Sequence, residues 1–545
     1  MLRQKALSQL RTQQFDLCII GGGATGAGCA LDAALRGLSV ALIEKNDFAS
    51  ATSSRSTKLV HGGVRYLEQA FKKLDWEQFQ MVRKGLHERA YMLQNAPHLA
   101  HRLALLTPSA KGFDTLYYGA GLKMYDWIAG DDNLESSEWL SKEEALLRIP
   151  TLKTEDLHSA VLYYDGQFDD ARYNLALVKT AMEKGCTALN YAEIMSFGYD
   201  ENGKIAVTTI KDVFTGEEFE VKATVFVNAT GIFSDNLRLM ANPQAPARMR
   251  VSKGVHIVLP NELLKSDTAI LVPKTDDGRV IFIIPWQGEL LVGTTDTEDQ
   301  LSDKEPILLS EEVDYLLEYV NRYLEKPVTK AQVKSGFGGL RPLLQANPDA
   351  DTKALVRDHE VEIDEKSGLI SIMGGKWTTY RAMAMDTIDA VYGQMSKPIV
   401  ACTTERQALY GAEGYSPELW KILQATYHLS EKICQHLCQK YGAEAFKVAE
   451  LGRENADLQQ VLVEGYSYIA AEVVYAVQTE MACTIRDVLA RRLGLELLDW
   501  QAAENAALIV AKWMGGVLGW TTEQTTQATA QYVALVQHFR KSAGL

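Results

Sequence analysis

The hydrophobic pattern is most informative near the start of the chain. Phe15-Asp16-Leu17-Cys18-Ile19-Ile20 is a short, mostly apolar run that reads as a buried strand. It passes directly into Gly21-Gly22-Gly23-Ala24-Thr25-Gly26, with Gly28 just beyond. Residues 27–35 are helix-like, Gly37 stops them, and Val40-Ala41-Leu42-Ile43 predicts a second strand ending at Glu44. Apolar or β-branched runs at 270–272, 280–284 and 290–293 predict sheet, with Asp276-Asp277-Gly278 and Gln287-Gly288 as hairpin turns. Asp200-Glu201-Asn202-Gly203 and Thr215-Gly216 mark turns in a smaller sheet excursion. Residues 369–373 read as a strand, Gly374-Gly375 as a turn, and the next helix carries Tyr380, Met383, Ala384, Thr387 and Val391 on one stripe. After Lys397-Pro398 the pattern turns helical, and 470–478 and 502–514 are examples within 405–545. No segment offers about 18 uninterrupted apolar residues, so no spanning helix is expected.

Strand, glycine turn, helix, strand and terminal acid, in that order, are what a dinucleotide requires. Gly21 permits the tight turn, Gly23 lets backbone approach a pyrophosphate, and Gly26 lets helix and strand pack closely. The helix N-terminus then faces the phosphates. Glu44, 18 residues after Gly26, can accept ribose hydroxyls. The motif does not separate NAD from FAD, but its position at the head of a long chain leans towards a flavoprotein. Thr52-Ser53-Ser54-Arg55-Ser56-Thr57-Lys58 adds donors for a pyrophosphate or ribityl chain. In Leu59-Val60-His61-Gly62-Gly63-Val64-Arg65-Tyr66-Leu67, the glycines allow backbone to pass close to a flat ring. Arg65 is suited to a bidentate grip on phosphate or carboxylate, with Tyr66 beside it. A helix N-terminus after Gly375 would point at the ring system and favour negative charge there. Lys376, in that turn, can neutralise reduced flavin or bind a phosphate.

Composition narrows the function. The 47% hydrophobic and 23% charged shares are ordinary for a globular chain, so disorder and coiled coil are poor readings. At about 150 residues per domain, 545 residues allow two to four domains. With 56 basic and 70 acidic residues the formal charge is −14, which argues against nucleic acid while allowing a local basic pocket. Seven cysteines without a regular framework read as reduced thiols. The first residues, with Arg3, Lys5 and Arg11 and no apolar run after them, are not a secretory signal. They read as a frayed, solvated end, or else as a short basic arm on anionic lipid.

Residues 51–68 resemble the corresponding block of FAD-dependent glycerol-3-phosphate dehydrogenases. The resemblance continues through Phe168-Asp169-Asp170-Ala171-Arg172, Val225-Phe226-Val227-Asn228-Ala229-Thr230-Gly231, Ile283-Ile284-Pro285-Trp286 and Gly293-Thr294-Thr295-Asp296. It includes Gly336-Phe337-Gly338-Gly339-Leu340-Arg341-Pro342-Leu343 and Gly374-Gly375-Lys376-Trp377-Thr378-Thr379-Tyr380-Arg381. It spans the first 400 residues and, more loosely, the rest. It implies an α/β chain with a Rossmann-like FAD-binding domain of the glucose/D-amino-acid oxidase type, a β-sheet substrate domain and a C-terminal all-helical cap. The expected FAD-binding segments are 15–75, 155–235 and 335–395. The substrate domain takes 76–154 and 236–334, and the helical domain 405–545. His61, Ala229, Gly231, Gly375 and Thr378 join Gly21, Gly23, Gly26, Glu44, Thr52, Ser53, Ser54, Gly62 and Lys376 as expected FAD contacts.

The implied reaction oxidises sn-glycerol 3-phosphate to dihydroxyacetone phosphate, with hydride passing from C2 to FAD and electrons on to a membrane quinone. Arg65, Tyr66, Lys376 and Arg341 are the expected substrate contacts. His256, Arg341 and Arg357 are the candidates near the C2 hydroxyl. Neutral His256 can take a proton near physiological pH, or it is a satisfied core histidine. Arg341 is better suited to stabilising an alkoxide than to acting as a base. An oxidase that reduces O2 to peroxide is the first alternative, although the extra central insertion of those relatives has no evident room here. An amine or amino-acid oxidase and a non-catalytic flavin sensor are the others. The aromatic run 113–128 reads by itself as a buried core helix or a monotopic membrane surface, and the resemblance favours the membrane. The expected location is therefore cytoplasmic, peripheral to the inner face of the plasma membrane; the oligomeric state stays open, with a homodimer admitted. No metal is expected. Cys434, His436 and Cys438 lack a second ligand pair, and Cys434 and Cys438 share a helix face that His436 leaves, which points to packing.

Overall fold

The computed structural model describes residues 2–63, 76–110, 112–302, 305–345 and 359–545. Two sheets carry the molecule. The first has eight strands, with Gln14–Ile20 near its centre. Val40–Ile43 and Glu218–Asn228 flank that strand in parallel. Thr187–Leu189 continues the sheet on one side and Ile370–Gly374 on the other, both parallel, and antiparallel His359–Ile363 closes that second edge. The hairpin Ala192–Tyr199 and Ile205–Asp212 pairs onto Glu218–Asn228 as the smaller excursion. All four residues of Val40–Ile43 are buried, because a parallel strand covered by helices reads as continuous apolar sequence. The helix Ala24–Leu35 packs between Asp170–Glu183 and Tyr380–Gln394.

The second sheet has ten strands, with Met249–Pro260 paired to Glu289–Gly293 and along its length to Ser335–Leu344. Ile281–Trp286 and Glu289–Gly293 meet at Gln287 and Gly288, whose φ values of 50° and 86° are those of a two-residue hairpin turn. Three strands inside the segments assigned to the FAD-binding part, Leu59–Val60, Ser159–Phe168 and Ser335–Leu344, instead pair within this second sheet. Short apolar runs announce a strand but not its partner, which long-range packing decides.

The first residues are not a frayed end. Leu2–Thr12 is a helix that buries Ala6, Leu7 and Leu10 against the first sheet. Arg3 Nη1 meets Asp212 Oδ2 at 2.9 Å, and Arg11 Nη1 meets Glu217 Oε1 at 2.7 Å. Its apolar stripe is narrow, so tertiary packing rather than propensity holds the helix. The last part of the chain is helical, including Glu431–Tyr441, Ala470–Thr479, Trp500–Leu518 and Thr522–Ser542. Cys434 and Cys438 are buried there, His436 bonds Glu472, and no metal-holding cluster occurs among the described residues.

Candidate active site

At Gly21 and Gly26 the turn leaves no room for a side chain. Gly21 has φ +112°, and a Cβ on it would lie 2.5 Å from Ala229 O. On Gly26 a Cβ would lie 1.8 Å from Gly21 O, so helix and strand touch through bare backbone. Ser53 Oγ accepts from Ala24 N at 2.9 Å, docking the hydroxyl-rich turn on the helix N-terminus. Glu44 accepts from Gly22 N at 2.7 Å and Asn46 N at 2.8 Å. Burial raises the pKa of Glu44, and the two backbone bonds oppose that rise. Asn174 Nδ2 holds Gly22 O from behind at 3.0 Å.

A cavity of about 630 Å³ opens from this turn and is lined by both sheets. Gly21, Gly23, Glu44, Thr52, Ser53, His61, Ala229, Gly231, Gly375, Lys376 and Thr378 line it together with His256 and Arg341. Gly26 and Ser54 do not: Gly26 is spent on packing, and Ser54 is buried with its carbonyl accepting from Lys58 Nζ at 2.8 Å. Gly62 lines a neighbouring cavity of about 330 Å³, together with Trp76, Gln80, Met81 and Lys84. His61, Lys376 and Thr378 line both spaces. Arg65, Tyr66 and Arg357 lie outside the described residues.

His256 is 2% exposed, stacks on Phe337 at 4.9 Å, and shares a 3.0 Å hydrogen bond between Nε2 and Thr57 Oγ1. Its Nδ1 has no partner among the described residues. Burial, then Arg341 and Lys58, push its pKa well below 6.5, so the ring is neutral at neutral pH. Arg341 Nη2 donates to Thr294 Oγ1 at 3.0 Å and Thr295 O at 2.9 Å, which fixes the guanidinium beside Gly254. Lys58, Asp170 and Phe337 also stand beside the site, without a local sequence signal. Lys58 is buried, pairs with Asp170 Oδ1 at 2.6 Å and lies 5.2 Å from the Phe337 ring. Nothing local distinguishes that lysine from a solvated one, because its partner is 112 residues away.

The cradle fits an FAD: bare backbone where a pyrophosphate would pass, an acid at the strand end, and a cavity shared by two sheets. Fold and cavity together define an FAD-dependent oxidoreductase, and the family description "FAD dependent oxidoreductase" matches residues 16–381. The description "C-terminal domain of alpha-glycerophosphate oxidase" matches residues 402–525. A human protein named glycerol-3-phosphate dehydrogenase, mitochondrial, is 44% identical over 525 residues, covering 94% of this chain and 72% of its own length. A crystal structure of glycerol-3-phosphate dehydrogenase from Bacillus halodurans complexed with FAD is 31% identical, with a TM-score of 0.81, over 100% of this chain and 99% of that one. The chain belongs to the FAD-dependent glycerol-3-phosphate dehydrogenase family, and its cofactor is FAD. An L-α-glycerophosphate oxidase from Mycoplasma pneumoniae, 17% identical over 70% of this chain and 95% of that one, shares the fold with a TM-score of 0.54.

Proposed function

We propose that this protein oxidises sn-glycerol 3-phosphate to dihydroxyacetone phosphate and passes the electrons to a membrane quinone. One observation carries the reading: a single cavity joins the glycine turn to His256, Arg341 and Lys376, within a family whose named relatives act on glycerol 3-phosphate. When bound, FAD supplies the hydride acceptor. Gly21, Gly23 and the helix N-terminus hold its pyrophosphate, Glu44 its ribose, and Thr52, Ser53, Ala229, Gly231, Gly375 and Thr378 the remainder. Lys376 binds the substrate phosphate, with Arg65 and Tyr66 as partners. Neutral His256 takes the C2 hydroxyl proton and, because burial, Arg341 and Lys58 disfavour the charged ring, releases it to water. Arg341, pinned by Thr294 and Thr295, offers its charge to the developing alkoxide, with Arg357 in support.

Two exposed tryptophans support peripheral membrane contact. Trp76 is 67% and Trp127 74% exposed, while Leu122, Tyr125 and Ile128 of the same helix as Trp127 are buried. No described helix is long and apolar enough to cross a membrane. The test is anaerobic addition of sn-glycerol 3-phosphate to the holoprotein, followed by quinone or oxygen. Rapid bleaching of the flavin, reoxidised faster by quinone, is expected. A flavin that stays oxidised overturns the substrate, and faster reoxidation by oxygen moves the reading to the oxidase.

A further inference from the structure

Between Glu44 and Ser53 every residue lines the cofactor cavity except Asp47 and Phe48. Asp47 points the other way and is fully buried. There it meets the C-terminal helical domain. Arg492 Nη2 donates to Asp47 Oδ1 at 2.9 Å, and Arg491 Nε and Arg492 Nη1 both reach Asp47 Oδ2 at 2.5 Å. The two arginines end the π-helical turn Asp487–Arg492, in which Leu493 N reaches back to Val488 O at 2.8 Å. Such widened turns are frequent at functional positions.

The turn is itself held. Asp487 accepts from Cys483 N, Thr484 N, Tyr191 Oη and Arg491 Nη2, while Arg492 also donates to Glu480 O at 2.7 Å. On the loop side, Asn190 Nδ2 donates to Asp47 Oδ1 at 3.1 Å, Ser50 N to Asp47 O, and Ala49 N to Gly22 O in the glycine turn. Ala49 sits at φ +60°, a conformation a non-glycine residue keeps only when its surroundings impose it. Immediately before the turn, Arg486 bonds Glu305, which also pairs with Arg55 of the cavity wall.

We infer that Arg491 and Arg492 are positioning residues for FAD: through Asp47 they set the loop that carries the cofactor's ribose and phosphate contacts. The C-terminal domain thereby governs cofactor affinity from outside the cavity. This rests on FAD as cofactor and is independent of which acceptor takes the electrons.

The experiment compares full-length apoprotein of the wild type with Arg492→Gln, Asp47→Asn and Arg492→Lys. FAD dissociation constants are read from quenching of flavin fluorescence, beside far-UV circular dichroism and the thermal midpoint of the apoprotein. Lys334→Gln is the comparison variant. It breaks a different junction of the same domain, where Lys334 Nζ lies 3.2 Å from Asp499 Oδ2 and also pairs with Glu289 of the second sheet. Arg492→Gln and Asp47→Asn should weaken FAD by about tenfold or more. Arg492→Lys should recover part of that loss, since a lysine keeps the charge without the two-pronged grip. Lys334→Gln should lower the thermal midpoint and leave FAD affinity unchanged. Folded Asp47 and Arg492 variants with wild-type FAD affinity would overturn the inference, and so would equal weakening in Lys334→Gln. Should Arg492→Gln fail to fold, Asp47→Asn and Arg492→Lys decide by the same two readings.

Discussion

The C-terminal helical domain meets the rest of the chain through two unlike faces. Towards the ten-stranded sheet the face is mainly apolar, with Lys334 between Asp499 and Glu289 as a charged contact: Leu489, Leu493, Leu497 and Trp500 share one buried cluster with Ile257, Leu291 and Phe337. Towards the eight-stranded sheet it is charged. Of the residues after 405, only Leu409 and Met481 join that sheet's buried cluster, and Asp47 with Arg491 and Arg492, and Arg172 with Glu480, make the junction. Apolar burial is non-directional and contributes about 25 cal/mol per Å² removed from water. A buried ion pair adds little net stability over an apolar pair of the same size, yet it fixes geometry and is costly to break from one side. The difference assigns a task to each face. The apolar one holds the domain on the body that supplies His256 and Arg341. The charged one fixes the register of the body that supplies the glycine turn and Glu44.

The largest expected effect tests the apolar face. Trp500 is almost completely buried and stands 6.3 Å from the Phe539 ring. Trp500→Ala should cost about 3–5 kcal/mol in chemical denaturation, the range for deleting a buried aromatic. FAD affinity of the folded protein should not change. If cofactor affinity falls along with stability, the two faces are one cooperative junction and the division of tasks is wrong.

What could be read in the sequence follows the same division. The turn from Gly21 to Gly26 was legible because its chemistry is local: glycines in the turn, a strand before, a helix after and an acid at the next strand end. The hairpin at Gln287-Gly288 was legible for the same reason. The sheet membership of Leu59–Val60, Ser159–Phe168 and Ser335–Leu344 was not, because an apolar run does not name its partner. The helix Leu2–Thr12 was misread because its buried stripe is only Ala6, Leu7 and Leu10, and the surface that covers it comes from strands near residues 187 and 218. The charged face was the least legible part. Asp47 and Arg492 stand 445 residues apart, and each alone looks like an ordinary surface charge.

Acid should separate the faces by a smaller amount. Burial alone would raise the pKa of Asp47, but Arg492 and Arg491 outweigh it and hold it at about 2, against an ordinary 3.8. Glu305 is likewise opposed by burial and held at about 2, against 4.5, by Arg55 and Arg486. Both values are lower folded than unfolded. Their stabilisation is therefore complete above about pH 4.5 and is lost as the pH falls towards 2. For Asp47 the loss is about 2 kcal/mol. Glu289, beside the ten-stranded sheet, has the opposite sign, since burial raises its pKa despite Lys334, so protonating it costs that contact no stability. Lowering the pH should release FAD, seen as a rise in flavin fluorescence, before the far-UV helical signal falls. Asp47→Asn should flatten that early release. Coincident loss of both signals in the wild type would mean that the charged face does not yield first.

The smallest effect is the most exacting check, because it loosens the domain without touching either face directly. Thr521 caps the helix Thr522–Ser542: its Oγ1 accepts from Gln524 N at 3.1 Å, and Gln524 Oε1 accepts from Thr521 N at 2.8 Å. This reciprocal box satisfies two donors that a helix end otherwise leaves to water. The helix it starts buries Tyr532, Val536 and Phe539, and the Phe539 ring lies against Trp500 on one side and 5.2 Å from the Arg486 guanidinium on the other. Thr521→Ala should cost about 1 kcal/mol of stability. Burial of Phe539 persists, so Arg486 keeps its bonds to Glu305 and Glu496, and FAD affinity should stay at the wild-type value. A measurable weakening of FAD in Thr521→Ala would show that general loosening of the domain reaches the cofactor loop. The ion pairs at Asp47 would then transmit stability rather than geometry, and the contrast between the faces would reduce to a difference in composition.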